Sequence, residues 1–88
     1  MRAIVTVIGK DTVGIIARVT TKLAELDVNV LDLSQTIMQG NFTMVMLVDL
    51  AAGTGFDKVQ DALNALGETM GLSIRIQRTE IFESMHNI

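Results

Sequence analysis

Two apolar stripes of helical period, each set between runs of β-branched and aliphatic residues, constrain this chain more than any other feature. Ile16, Val19, Leu23 and Leu26 recur at i, i+3, i+7 and i+10. That spacing predicts a helix over about 13–26, with Arg18, Lys22 and Glu25 on its wet side. Phe56, Val59, Leu63, Leu66 and Met70 make the second stripe and predict a helix over about 55–70. Gly67 falls inside that stripe, where glycine disfavours a helix by about 1 kcal/mol relative to alanine.

The runs between the stripes read as strands. Residues 2–8 are β-branched on both faces and end at Gly9. Residues 28–38 form a second, less regular strand, interrupted by Asp32, Ser34 and Gln35. Gln39-Gly40-Asn41 is a tight hairpin signal. Phe42 to Leu50 alternates, with Phe42, Met44, Met46 and Val48 on one face and Val45 and Leu47 on the other. After Gly71, residues 72–82 predict a fourth strand, with Leu72, Ile74 and Ile76 facing in and Ser73, Arg75 and Gln77 facing out. Asp11 or Thr12 is the expected N-cap of the first helix. Thr54 and Asp57 have the spacing of a capping box for the second, with Asp in place of the usual Glu. Asp27 follows the first helix at a place that favours a left-handed residue.

The order is therefore β-α-β-β-α-β. Right-handed crossovers joined by a hairpin give a four-stranded antiparallel sheet with both helices on one face. This is a ferredoxin-like α/β sandwich, expected as a single domain over residues 1–88, with strands one and three in the centre. One face of such a sheet should be polar. Strands one and three instead carry Ile, Val, Leu and Met on both sides, so a second copy of the chain is the simplest cover for the other face. A hydrophobic fraction of 49% in 88 residues points the same way.

Composition removes several classes of function. There is no cysteine and one histidine, His86, so thiolate chemistry and a multi-histidine zinc site within one chain are excluded. Neither a cofactor nor a metal is expected. A net charge of −3 and an aromatic content of 3% oppose direct nucleic-acid binding. The N-terminal apolar run stops at Lys10 and Asp11, short of a signal peptide or membrane span, so a cytoplasmic protein is expected. An acylphosphatase-like hydrolase would need an arginine in the first strand–helix loop, which offers Lys10 instead.

That loop, Gly9-Lys10-Asp11-Thr12-Val13-Gly14, carries the most functional information. It leads into a helix N-terminus, which suits a carboxylate. Asp11 suits an ammonium group, and Gly14 permits a ligand or a neighbouring backbone to come close. A ligand bearing both charges is an amino acid. The alternative is structural, with Asp11 capping the helix and Gly14 relieving crowding.

A strand, then Gly9-Lys10-Asp11-x-x-Gly14-Ile15, a helix, then Val28-Asn29-Val30-x-Asp32-x-Ser34-Gln35 resembles the ACT domain family. The closest likeness is to small stand-alone members related to glycine-cleavage repressors and to the regulatory end of formyltetrahydrofolate deformylases. The ending, Ile81 to Ile88, is similar to that subgroup, and the resemblance covers essentially the whole chain. It implies a regulatory, non-catalytic domain that pairs into dimers or larger assemblies with an amino acid at the interface. Asp11 and Gly14 match the family's loop, Asn29 its second-strand Asn, and Gln35 the subgroup's Ser-Gln. The expected ligand-binding residues are thus Gly9, Lys10, Asp11, Thr12, Val13, Gly14, Asn29 and Gln35. The expected partners are a second copy, a small molecule and a protein yet to be identified, with neither nucleic acid nor membrane bound directly. A ligand-free structural dimerisation module is the alternative function, followed by a small acyl or phosphoryl hydrolase.

Overall fold

A computed structural model describes residues 1–10 and 13–79. The elements run β1 (Arg2–Lys10), α1 (Ile15–Glu25), β2 (Val28–Met38), β3 (Asn41–Leu50), α2 (Phe56–Met70) and β4 (Ser73–Arg78). The sheet order is β2-β3-β1-β4 and every neighbouring pair is antiparallel. The expected sandwich is the observed one, with β1 and β3 central.

The core lies between the sheet and the helices. Ala3, Val5 and Val7 of β1 are fully buried, as are Met44, Met46 and Val48 of β3. Ile74 and Ile76 extend this layer across β4. Val19 and Leu23 of α1 and Val59 and Leu63 of α2 close it from above. The opposite sheet face stays open. Ile8 is 49% exposed and Val45 39%, while Ile4 and Leu47, paired one step further along the sheet, are half-buried. The apolar residues expected on the second face are therefore present, and no part of the described chain lies over them.

Three local expectations are corrected. The buried stripe of α1 is Ile15, Val19 and Leu23, whereas Ile16 is 36% exposed. Ile15 and Ile16 are adjacent, about 100° apart on the helix, and sequence spacing does not choose between them. The N-cap of α1 is Gly14, with φ 86°, rather than Asp11 or Thr12. The N-cap of α2 is Gly55, and the Thr54–Asp57 box makes no capping bond. In addition, β1 extends through Gly9 and Lys10, so those two residues belong to a strand.

The turns follow the sequence reading more closely. Gln39 and Gly40 both have positive φ and connect paired Met38 and Asn41, as in a two-residue type I′ hairpin. Asp27 has φ 59°, the left-handed position expected after α1. The irregularity of β2 is a bulge at Leu31, because Val30 pairs with Val48 and Asp32 with Leu47.

Candidate ligand-binding site

The bulge decides which β2 side chains share the helix side of the sheet. Directly opposed residues in an antiparallel pair lie on the same face. Gln35 opposes Met44 and Ile37 opposes Phe42, both of which are core residues. Gln35 and Ile37 therefore stand on the helix side, at the outer edge of the sheet, where α1 covers them only in part. Ile37 remains 56% exposed.

The start of α1 lies beside them. Gly14, Ile16 and Ala17 from the helix, with Gln35, Ile37 and Phe42 from the hairpin, line a hollow of about 190 Å³. Arg18 N–H donates to Gly14 O at 3.0 Å and so makes the first helical hydrogen bond. The N–H groups of Ile15, Ile16 and Ala17 precede it and have no partner within the helix. The first turn also lacks an acidic residue. The partial positive charge of the helix end therefore meets the hollow without a carboxylate from that turn against it. With the Gln35 amide it can hold an anionic group and a neutral polar group side by side.

Two larger concavities have different chemistry. A groove of about 540 Å³ runs between α1 and α2, lined by Ala17, Thr21, Ala62 and Ala65 among others. Its walls are helix interiors whose amides are used in the helices, and its Lys22 and Glu25 pair with each other at 3.7 Å. A second hollow of about 290 Å³ sits at the start of α2, near Gly53, Gly55 and Lys58. Glu25 and Asp27 also line it and oppose the anion that a helix N-terminus favours.

The expected site residues divide by position. Gly14 and Gln35 meet in the small hollow. Val13 lies in the adjoining turn and is fully exposed. Asp11 and Thr12 lie outside the described residues, as do His86 and the ending Ile81–Ile88. Gly9 opposes Phe42 within the sheet, and a Cβ there would collide with the Leu72 side chain, so its absent side chain serves packing. Lys10 opposes Asn41 at the end of β1. Asn29 opposes Asp49 at the far end of β2, roughly 20 Å from Gln35 by strand rise. The sequence reading did not include Ile16, Ala17, Ile37 and Phe42. The apolar residues of strand two held a signal for Ile37, but only the bulge shows which face it joins.

A four-stranded antiparallel sheet under two helices, with a glycine-led helix start beside an edge strand, defines a ferredoxin-like α/β domain. A model of the ACT domain matches residues 2–77, and the chain belongs to the ACT domain family. It is 54% identical over 89 residues to a UPF0237 protein of Listeria innocua, with both chains covered in full. Among solved structures it is similar to an ACT domain protein from Streptococcus pneumoniae. The TM-score is 0.85 at 42% identity, over 94% of each chain. The fold also matches the ligand-free regulatory subunit of aspartate kinase from Thermus thermophilus, with a TM-score of 0.69 at 23% identity. That match covers 86% of this chain and 50% of the other.

Proposed function

We propose that this chain is a non-catalytic regulatory module of the cytoplasm. It binds an amino acid between two copies of itself and passes its state to a partner protein. One observation carries the reading: Gly14 and Gln35, 21 positions apart in sequence, meet in a hollow at the start of α1. The helix N-terminus takes the ligand carboxylate. Gln35 takes a neutral polar contact, and Asp11 supplies the charge for the ammonium group.

The second copy enters through β2. This strand is at the sheet edge, and every residue from Leu31 to Met38 is exposed. An apolar edge of this length is a template for pairing with another chain. In an antiparallel pairing the partner strand runs the opposite way. Its Asn29 end then lies towards the Gln35 end of this chain, which gives Asn29 a place near a shared site. The same exposed edge favours the second reading, a dimerisation module without ligand.

Calorimetric titration of the wild type and of Asp11→Asn, with whichever amino acid raises the wild-type Tm, tests the proposal. Removing the charge should weaken binding by roughly 1.5–3 kcal/mol, about tenfold to over a hundredfold. Stability without ligand should stay nearly constant, because Gly14 and not Asp11 is the N-cap. Equal affinities eliminate Asp11 as a contact, and no shift with any amino acid at millimolar concentration favours the ligand-free module.

A further inference from the structure

We propose that the hollow at the start of α1 selects amino acids with a short aliphatic side chain, of the size and polarity of valine or leucine. This rests on the reading of the hollow as an amino-acid site and adds the class of side chain it accepts.

Size sets the first limit. About 190 Å³ is the share of roughly six liquid waters. It is below the 300–1,000 Å³ typical of pockets for drug-sized ligands. A ligand the size of valine or leucine fills this volume, whereas a nucleotide, an extended cofactor or an indole side chain on an amino-acid backbone would project out of it.

Chemistry sets the second limit. Once the helix start holds the carboxylate and Gln35 a polar group of the ligand backbone, the surfaces left are Ile15, Ile16, Ala17, Ile37 and Phe42. None of the described lining residues is charged. A charged ligand side chain laid against them loses hydration and gains no partner. An aliphatic side chain gains from the same surface, by about fourfold in affinity for each methylene buried. The polar contacts are common to all amino acids, so the apolar wall makes the discrimination.

Ile37 is the specificity determinant most open to test. It is 56% exposed, so its side chain contributes little to the core and can be changed without emptying it. Ile16 is also half out of the core, but it belongs to the helix turn that holds the carboxylate.

The experiment measures Kd by calorimetry for glycine, L-alanine, L-valine, L-leucine, L-aspartate, L-lysine and L-tryptophan, with wild type and Ile37→Ser. Circular dichroism and Tm confirm that the variant is folded. Affinity is expected to rise from glycine through alanine to valine and leucine, by a few-fold per added methylene. Aspartate, lysine and tryptophan should bind at least tenfold more weakly than leucine. Ile37→Ser should flatten the series, weakening leucine several-fold and leaving glycine nearly unchanged. If aspartate or lysine binds the wild type more tightly than leucine, the side-chain class is wrong while the amino-acid site stands. If the series is unchanged in Ile37→Ser, the ligand does not lie against Ile37 and the proposal is overturned. If no amino acid binds, this proposal and the functional reading fail together.

Discussion

Gly67 and Leu72 touch through their backbones. Leu72 N–H donates to Gly67 O at 2.8 Å, and a Cβ built on Gly67 would stand 2.7 Å from Leu72 O. The same Gly67 carbonyl accepts from the backbone of Gly71, whose φ of 70° turns the chain out of α2 towards β4. Two donors on one carbonyl at a left-handed glycine make a Schellman-type stop. The glycine that weakens the predicted helix is the point at which the chain passes closest to it.

Gly67→Ala is therefore expected to destabilise the fold. Alanine improves helix propensity by about 1 kcal/mol. The new methyl group must displace the backbone carbonyl of Leu72, and overpacking of this kind costs about 1–3 kcal/mol. A chemical denaturation series should show a lower midpoint for Gly67→Ala. A midpoint equal to or above wild type would mean that the turn moves aside freely.

Gly14 makes a contrasting prediction. Among the described residues, chain neighbours aside, no atom lies within 4 Å of a Cβ built there, yet φ is 86°. Torsion, rather than crowding against the described residues, is therefore what calls for a glycine here. Gly14→Ala should cost roughly 1–2 kcal/mol, and Gly14→Asn less, because Asn tolerates the left-handed region. Gly14→Val should cost at least as much as Ala and also weaken ligand binding or pairing. Thermal melts of the three variants give the order, and a Gly14→Ala melt equal to wild type would refute the torsional account.

Self-association is the third expectation. Sedimentation at micromolar concentration should give at least a dimer, and Leu31→Lys should shift the population towards monomer. Leu31 is the bulged residue of the edge strand, and lysine at a sheet edge opposes pairing. A wild-type particle of 9.6 kDa across that range would remove the second copy from the model of action.

The fourth concerns nucleic acid. With a net charge of −3, the isolated chain should show no tight, sequence-dependent binding in a filter or anisotropy titration. Regulation of transcription by this chain would then run through another protein. Nanomolar, sequence-selective binding of the chain alone would refute this.

Much of the architecture was legible because alternation and helical period are local properties. The inward set of β3, from Phe42 to Val48, follows directly from a period of two. The hairpin at Gln39-Gly40 follows from turn chemistry. The phase of α1 was not legible, since Ile15 and Ile16 satisfy the same period equally well. The expected caps failed because Asp, Thr and Ser are good caps only where the chain happens to enter the helix, and here it enters through Gly14 and Gly55. Of the residues lining the candidate hollow, Gly14 and Gln35 were named from the motif. Ile37 and Phe42 were not, because a hairpin and a bulge place them there and neither residue has a motif of its own.

The bulge at Leu31 has a consequence for how such a site can arise or vanish. Val28 and Val30 oppose Leu50 and Val48, so even-numbered positions begin β2 on the helix side. After one unpaired residue the odd-numbered positions hold that side, and Gln35 and Ile37 are among them. The hollow depends on the parity of the count along one strand. Were Leu31 instead paired in an unbulged strand, the alternation from Val28 would turn Gln35 and Ile37 to the opposite face, with Ser34 and Thr36 in their place; deleting Leu31 would leave Val30 and Asp32 on consecutive pairs and keep Gln35 and Ile37 on the helix side. One looped-out residue thus lets the valines at one end of β2 and the Gln35–Ile37 pair at the other look towards the same helices.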